Sequence, residues 1–334
     1  MDSVNQKRGV LVTGGAGYIG SHVVQQLRAS GERVVVLDNL STGFRQAVGD
    51  TPLIVGDVGN IDLVERLLDQ HAVGAVMHFA AHTIVPESVR EPLRYYNNNT
   101  VNSCRLLQSC IRAGVREFVF SSTAAVYGIP DGGVAREDAP LNPINPYGTS
   151  KWMCELMLRD LVAASDLRYV SLRYFNVAGS DTQGRIGQAT RHATLLIKVA
   201  CEVAVGKRPY LSLYGTDYMT PDGTCIRDYI HVEDLARAHA DALRYLRGGG
   251  DSVVLNCGYG HGHSVREVLD SVQRVSGKRL AIREEPRRAG DPPSLVAKVE
   301  RVKAVLGWQA QLDNLDTIVR SSLNWEEHLS RHPW

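Results

Sequence analysis

The chain has 334 residues, of which 44% are hydrophobic, so it can bury a large core in two lobes or in one domain with an appendage. Its 37 basic and 36 acidic residues nearly cancel, which argues against a nucleic-acid or membrane partner. The first eight residues are polar, and no apolar run approaches the length of a membrane span. These features predict a soluble, cytoplasmic protein.

The six cysteines form neither a C-x-x-C pair nor a metal-ligand spacing with histidine. We therefore expect buried, reduced thiols, as is usual in a cytosol, and no metal site.

A glycine-rich stretch, Thr13–Gly20 (TGGAGYIG), lies between the apolar run Val10–Val12 and an amphipathic helix pattern. Gly14 allows a tight turn, Gly17 lets the backbone approach a phosphate, and Gly20 lets helix and strand pack closely. The helix N-terminus adds N–H donors and partial positive charge. The stretch predicts a pyrophosphate-binding loop, although on its own an ordinary glycine-rich turn would explain it as well.

Asp38 follows a second apolar run, Val34–Leu37, and so stands where an acid accepts hydrogen bonds from the adenosine ribose hydroxyls of a dinucleotide. The alternative is a carboxylate that caps a loop. The order strand, loop, helix, strand favours dinucleotide binding. Because an acid repels the additional phosphate of NADP, the predicted cofactor is NAD.

Short apolar segments recur along the first half of the chain with helical stretches between them, at 10–13, 34–38, 53–55, 75–79, 118–121 and 169–174. This alternation predicts an α/β fold, a Rossmann-type doubly wound parallel sheet that binds its ligand at the carboxyl ends of the strands. Two groups of residues follow the third and fourth strands and are candidates to meet the adenine and the cofactor backbone: Asp57 and Val58, then Phe79, Ala80 and Ala81. A turn or core role is the alternative for each.

The character of the sequence changes after Ala178, where a turn-rich break, 179–184, precedes a mixture of helices and short extended segments. We predict an NAD-binding domain over 1–178 and a smaller mixed α/β substrate lobe over 179–334. A segment near 225–260, in particular Val253–Leu255, is expected to return to the large sheet. Helices are predicted at 193–205, 232–246 and 265–275.

The helix pattern after Tyr147 is apolar nearly all round. The sheet covers only one side of such a helix, so another helix or another subunit must cover the rest. The stretch Asn98–Ile111 is the candidate partner helix, and a homodimer is predicted.

Tyr147 and Lys151 are four residues apart and therefore lie on one helix face. An ammonium beside a phenol stabilises the phenolate, which predicts a lowered Tyr147 pKa and a general base. A surface pair is the alternative. Ser121 and Thr123 end the fifth predicted strand, so the chain order brings them, the Tyr147–Lys151 pair and the glycine loop to one crevice. The Thr123 hydroxyl is then placed to bind the same substrate oxygen as Tyr147.

Together these motifs resemble the extended short-chain dehydrogenases/reductases and, more narrowly, the UDP-glucose (UDP-galactose) 4-epimerase family over essentially the whole chain. The motifs that carry the resemblance are TGGAGYIG, DNL at 38–40, SSTAAVYG at 121–128, the Tyr147–Lys151 pair, RYFN at 173–176 and RDYIH at 227–231. The resemblance implies a tightly held NAD contacted by Gly14, Gly17, Tyr18, Ile19, Gly20, Asp38, Asn39, Asp57, Val58, Asn98, Lys151 and Tyr174. It also implies a UDP-sugar site that uses Asn176, Tyr214, Arg227, Arg288 and Asp291.

The reaction that the resemblance implies interconverts UDP-glucose and UDP-galactose. Tyr147 would remove the proton of the sugar 4-hydroxyl while the hydride on carbon 4 passes to the nicotinamide. The 4-keto sugar would rotate in the pocket, held by its UDP, and take the hydride back on its opposite face.

Two rival functions use the same fold. Dehydratases of this superfamily carry an acidic pair directly after the threonine, and decarboxylases carry a glutamate two residues after it, whereas Thr123 is followed by Ala124 and Ala125. Elimination chemistry is therefore disfavoured. An NAD-binding sensor without catalysis is the second rival, and the intact Tyr147–Lys151 pair argues against it.

Three positions depart from the family pattern. Thr83 replaces a lysine that reaches the cofactor phosphates in many relatives, and Leu195 replaces an asparagine that meets the substrate diphosphate. Leu295 aligns with a substrate-site residue that is tyrosine in epimerases restricted to plain hexoses and small in those that accept N-acetylated sugars. Because leucine is intermediate, UDP-N-acetylhexosamine and UDP-pentose substrates stay open as alternatives.

Overall fold

The structure is a computed structural model that describes residues 9–191, 193–288 and 290–334. The polar segment 1–8, in which we expect no signal peptide, lies outside the described residues. The strands in chain order are β1 Gly9–Thr13, β2 Val34–Asp38, β3 Leu53–Val55, β4 Val73–His78, β5 Glu117–Thr123, β6 Val134–Ala135, β7 Arg168–Tyr174, β8 Asn176–Ala178, β9 Leu211–Tyr214, β10 Ile226–Arg227, β11 Tyr229–His231, β12 Val253–Cys257, β13 His263–Ser264, β14 Ile282–Glu285 and β15 Ser294–Ala297.

The α-helices in chain order are α1 Tyr18–Ala29, α2 Ile61–Gln70, α3 Val85–Arg90, α4 Pro92–Tyr95, α5 Asn102–Arg112, α6 Pro146–Ala164, α7 Leu196–Ala204, α8 Val232–Arg247, α9 Val265–Ser276, α10 Glu300–Leu306 and α11 Leu315–Arg331. A π-helical segment, Tyr96–Val101, joins α4 to α5. No helix in the described ranges is both long and apolar enough to cross a bilayer.

The large sheet has seven parallel strands in the order β12-β7-β5-β4-β1-β2-β3. The order reverses between β1 and β4, which makes their carboxyl ends the ligand-binding edge in folds of this kind. The predicted α/β class and Rossmann-type doubly wound parallel sheet are therefore confirmed, and all six predicted strands lie in this sheet.

Alternate residues of the central strands pack against helices on opposite faces of the sheet, because successive side chains of a strand point to opposite sides. Val10 and Val12 belong to one core cluster with α1 and α8. Leu11 belongs to a second cluster with α2, α5 and α6. Both faces of the sheet are thus buried, which explains why the strand sequences are continuous apolar runs.

The second half of the chain forms small sheets beside the large one. They have the orders β13-β10-β15-β6, β11-β8 and β14-β9. The segment that contains Val253–Leu255 is β12, which pairs in parallel with β7 at the edge of the large sheet. Conversely, β6, which belongs to the first half of the chain, pairs in parallel with β15 of the second half.

Helix α6 packs against the π-helical segment, where the Thr100 hydroxyl donates to the Ser150 carbonyl oxygen at 3.4 Å. The predicted partner helix Asn98–Ile111 is therefore present, but its first turn is π-helical and its α-helical part begins at Asn102. Met153 and Val162 on α6 stay 38% exposed, so this apolar helix is not fully covered within the chain.

Candidate functional site

The glycine loop lies at the switch point of the sheet. Gly14 has φ +70°, and a Cβ there would lie 2.5 Å from the Ala80 backbone nitrogen. The Phe79 N–H donates to the Thr13 carbonyl oxygen at 2.9 Å, so the ends of β1 and β4 are joined. At Gly20 a Cβ would overlap the Gly14 carbonyl oxygen. Gly14, Gly20, Phe79 and Ala80 thus form one close-packed turn, and Ala81 follows half-buried.

Gly17 precedes the first turn of α1 and has no side-chain cap. Outside its chain neighbours, the nearest atom to a Cβ at Gly17 would be the Gly14 carbonyl oxygen at 3.2 Å. The surface above this glycine is therefore backbone that a ligand can approach closely, beside helix N–H groups that favour an anion. Ile19 packs against the core, and the Tyr18 hydroxyl donates to the Gly179 carbonyl oxygen at 2.6 Å.

The Asp38 carboxylate braces the loop. It accepts the Ala16 N–H at 2.9 Å and the Leu40 N–H at 2.8 Å. Burial raises the pKa of Asp38, and these two hydrogen bonds act in the opposite direction. The loop-capping alternative is therefore realised in the structure, while the ribose contact stays a prediction.

Asn39 and Asp57 meet beside Asp38. The Asn39 amide donates to Asp57 Oδ2 at 3.4 Å. The other Asp57 oxygen accepts from the Gly59 N–H at 2.8 Å and from the Asn102 amide at 3.1 Å. The Val58 side chain is buried in the core, so it packs beneath this loop. Sequence reasoning missed Asn102, which holds this loop from α5.

Tyr147, Lys151 and Thr123 come together at the carboxyl end of β5. Helix α6 begins at Pro146 because the Asn145 side chain caps it, accepting the Gly148 N–H at 2.9 Å. Tyr147 and Lys151 are both buried on its first turns. Lys151 Nζ donates to the Ser121 carbonyl oxygen at 2.8 Å. The predicted convergence of these groups with the glycine loop on one edge of the sheet is what the structure shows.

Burial raises the pKa of Tyr147, and the Thr123 hydroxyl acts against that shift. The prediction that Lys151 lowers this pKa is wrong, because desolvation of the phenolate outweighs other effects and the ammonium is engaged by Ser121. Burial also lowers the pKa of Lys151 to about 8. The lysine is thus poised to change charge close to physiological pH.

Tyr174 at the end of β7 is hydrogen-bonded to the Ser121 hydroxyl. Its ring and that of Phe79 pack against buried His239 on α8, with centroids 5.9 and 4.8 Å away. Sequence reasoning missed His239, because a histidine on an apolar helix face gives no separate signal. Burial lowers the pKa of His239 to about 4, so it is a neutral packing partner at pH 7.

Asn98 lies in the π-helical segment, and its amide donates to Asn99 Oδ1 at 3.0 Å. Asn99, which the sequence analysis did not single out, is buried and donates to the His82 carbonyl oxygen and to the Ser150 hydroxyl. Thr83 is exposed next to them. The segment that follows β4 is therefore fixed by Asn99, without any contribution from Thr83.

The predicted UDP-binding residues form a group in the second half of the chain. The Arg288 guanidinium stacks on the Tyr214 ring, 3.8 Å from its centroid. Arg227 donates to the Pro292 carbonyl oxygen at 2.8 Å, and its guanidinium is 3.8 Å from the Asp291 carboxylate. Leu295 is the register partner of Arg227 in neighbouring strands. The Asp291 N–H donates to the Arg288 carbonyl oxygen at 3.4 Å, which links the two groups, so five of the predicted substrate residues lie together.

Asn176 and Leu195 line one cleft together with Tyr18. Asn176 is connected to the arginine group because its N–H donates to the carbonyl oxygen of Asp228, the residue after Arg227. Asp228 itself is fully buried and accepts the N–H groups of Tyr259, Gly260 and Ala297. The sequence analysis quoted Asp228 in a motif without giving it a role, and the structure makes it the anchor of the small sheets.

The site therefore has two parts, a glycine cradle with a buried phenol and ammonium, and a neighbouring arginine–tyrosine group. A dinucleotide fits the first part, because backbone at Gly17 is open to close approach and helix N–H groups stand beside it. A diphosphate suits the second part, because guanidinium groups bind phosphate oxygens in pairs.

Comparison with known proteins identifies the family. Residues 10–258 match the model of the NAD dependent epimerase/dehydratase family. A UDP-glucose 4-epimerase of Azospirillum brasilense is 58% identical over 323 residues, which cover 96% of this chain and 93% of the relative.

Solved structures agree. The UDP-glucose 4-epimerase of Brucella ovis, in complex with NAD, has a TM-score of 0.92 at 43% identity and covers 95% of this chain and 97% of its own. The UDP-Glc/GlcNAc 4-epimerase of Campylobacter jejuni has a TM-score of 0.85 at 45% identity, with 96% and 99% covered. This chain therefore belongs to the NAD-dependent epimerase/dehydratase family and, within it, to the UDP-glucose 4-epimerases.

Proposed function

We propose that this protein is an NAD-dependent isomerase that reversibly converts UDP-glucose to UDP-galactose by transient oxidation at sugar carbon 4. The observation that carries the proposal is the buried Tyr147–Lys151 pair at the end of β5 beside the glycine cradle. The residues after Thr123 are Ala124 and Ala125, so no acid stands where a dehydratase or decarboxylase needs one.

In this mechanism Tyr147 takes the proton of the sugar 4-hydroxyl, and Thr123 binds the same oxygen. Burial raises the pKa of Tyr147, and the Thr123 hydroxyl acts against that rise, while Lys151 adds positive charge on the same helix face. When bound, NAD supplies a hydride acceptor for carbon 4. The 4-keto sugar then turns over and receives the hydride on its other face, and Tyr147 returns the proton.

Cofactor contacts are proposed for the residues around the cradle, which are Gly14, Gly17, Tyr18, Ile19, Gly20, Asp38, Asn39, Asp57, Val58, Phe79, Ala80, Ala81, Asn98, Ser121, Lys151 and Tyr174. Substrate contacts are proposed for Asn176, Tyr214, Arg227, Arg288, Asp291 and Leu295, with Thr123 and Tyr147 at the sugar. Rotation of the keto sugar requires firm binding of UDP and loose binding of the sugar, which suits an arginine group separate from the catalytic pair.

In this proposal the predicted lobe 1–178 carries the cofactor contacts together with Thr123, Tyr147 and Asn176, and the lobe 179–334 carries the other substrate contacts. A homodimer is part of the proposal, because Leu93, Val101 and Met153, on helical segments that pack together, are 79%, 41% and 38% exposed. Apolar side chains collected on one surface of this kind indicate an interface. A cytoplasmic location stays a prediction of the sequence.

The test is to incubate the purified protein with UDP-galactose without added cofactor and to follow UDP-glucose by chromatography. The expected result is an equilibrium mixture of the two sugars with no keto or deoxy product. A lack of conversion, even after NAD is added, would contradict the proposal.

The same assay tests a second class of substrate, the UDP-N-acetylhexosamines. Leu295 lies beside Arg227 and is smaller than tyrosine, and the Campylobacter jejuni relative is named for both UDP-Glc and GlcNAc. We therefore propose UDP-N-acetylglucosamine as an alternative substrate, with UDP-pentoses next in the panel.

A further inference from the structure

Glu155 lies one turn after Lys151 on α6, and both side chains point into the protein. The Glu155 side chain is only 5% exposed, as is that of Arg173, with which it forms an ion pair. Arg173 Nε donates to Glu155 Oε1 at 3.0 Å and to Oε2 at 3.2 Å. A second donor, the Ser122 hydroxyl, reaches Oε1 at 2.5 Å.

These contacts involve the same strand end that carries the catalytic groups. The Ser121 carbonyl oxygen accepts from Lys151, the Ser122 hydroxyl donates to Glu155, and the Thr123 hydroxyl faces Tyr147. Three consecutive residues of β5 are therefore bound to three consecutive turns of α6. The contacts of Ser121 and Thr123 hold Lys151 and Tyr147, and the contact of Ser122 between them holds Glu155.

Further bonds hold the carboxylate from the far side. Arg173 also donates to the Tyr127 hydroxyl at 2.9 Å, and that hydroxyl donates to Asn256 Oδ1 at 2.7 Å. A buried ion pair of this kind adds little to stability when compared with apolar residues of the same size. The hydrogen bonds around this ion pair instead indicate that the negative charge of Glu155 is needed at this position beside α6 and β5.

The charge of Glu155 acts on Lys151. Burial lowers the pKa of Lys151 to about 8, and Glu155 and Cys154 are the groups that act against this shift. The other titratable or charged groups around the pair are His78 on β4, Tyr127 and Glu137, Tyr147 on α6, and Tyr169, Arg173 and Tyr174 on β7. His78 is neutral, since burial lowers its pKa to about 3.

We propose that Glu155 is a positioning residue for the epimerase reaction: its buried carboxylate locks Ser121–Thr123 of β5 onto α6 and keeps the charge of Lys151 beside Tyr147. The inference rests on the proposed function. It assigns to Glu155 no contact with substrate or cofactor.

The experiment measures kcat and KM for UDP-galactose from pH 6 to pH 10 in the wild-type holoenzyme and in Glu155→Gln. The amide keeps the size and can still accept from Ser122, but it removes the negative charge. Because the negative charge that raises the pKa of Lys151 is lost, the limb of the kcat profile near pH 8 should move to lower pH by about one unit. KM should change less than twofold, because no substrate contact is altered.

Two further variants separate positioning from folding. Ser122→Ala keeps the charge but loses the strand-end bond, so kcat should fall about fivefold to tenfold with the limb unmoved. Ser109→Ala removes a buried serine hydroxyl on α5 that has no hydrogen-bond partner within the described residues, and it should match the wild type in both limb and kcat. Circular dichroism and bound NAD content verify folding in each variant.

An unmoved limb in folded Glu155→Gln would overturn the role of its charge. If Glu155→Gln does not fold, the Ser122→Ala variant tests the proposal. A wild-type kcat in that variant would overturn the role of the contacts between β5 and α6. A wild-type protein that does not interconvert the two sugars contradicts the proposed function instead, so the two failures are distinguishable.

Discussion

The catalytic part and the substrate part of the site are built differently. Lys151 is 2% exposed and already donates to Ser121, and its helix is fixed by the buried Glu155–Arg173 pair. In the substrate part, Arg288 is exposed and Asp291 is 3.8 Å from Arg227, too far for a direct hydrogen bond. The catalytic groups are therefore pre-organised, whereas the arginines keep donor capacity for a ligand.

This contrast matches what epimerisation demands. Proton transfer at carbon 4 needs groups held within narrow limits, because small displacements cost much of the rate. The UDP moiety needs strong charge-assisted hydrogen bonds that form when it arrives. Changes in the first part should therefore lower kcat, and changes in the second part should raise KM.

The largest effect is expected for Tyr147→Phe. Loss of the phenol removes the proposed base, so kcat should fall by about 10²–10⁴, while bound NAD content, read by absorbance after denaturation, stays at the wild-type level. Tyr169→Phe, which removes the hydroxyl of another buried tyrosine outside the proposed contacts, is the matched control. Full turnover in Tyr147→Phe would assign the base to another group.

Arg227→Met should act on the other part of the site. Removal of a charge-assisted bond of about 1.5–3 kcal/mol should weaken UDP binding by about 10–100-fold, with little change of kcat. Calorimetric titration with UDP measures it. Arg283→Met is the control, because Arg283 stacks on Tyr210, as Arg288 stacks on Tyr214, but lies outside the proposed contacts. Equal loss in both variants would indicate a general charge effect.

Gly17→Ala probes the cradle. Its φ is −79°, and a Cβ would lie 3.2 Å from the Gly14 carbonyl oxygen, a tight contact that a small shift of the loop relieves, so the fold should survive. The methyl group would occupy the surface that the cofactor approaches, at a cost of about 1–3 kcal/mol and hence a clear loss of bound NAD. Gly248→Ala, at φ −71° and far from the cradle, should keep its cofactor. Unchanged NAD content in Gly17→Ala would argue against this pyrophosphate site.

Leu295→Tyr should have the smallest and most selective effect. A larger ring beside Arg227 reduces room near the sugar, so turnover of UDP-N-acetylglucosamine should fall by about tenfold relative to UDP-glucose. Paired assays of the two substrates measure the ratio. A constant ratio would show that position 295 does not select the sugar.

The sequence predicted the sheet strands closely, because their apolar runs and the glycines between strand and helix are local signals. It also placed Tyr147 and Lys151 correctly, since four residues fix their common helix face. It failed on the Tyr147 pKa, because the burial of a phenol depends on what packs over it.

Thus the sequence by itself determined the parallel sheet, the glycine loop and the residue types of the reaction. Only the tertiary structure decided that Asp38 braces that loop, that Asp228 anchors the small sheets, and that Glu155 ties β5 to α6. The physical reason is that a buried carboxylate must be matched by donors, and here all but the Leu40 N–H lie on segments distant in the chain.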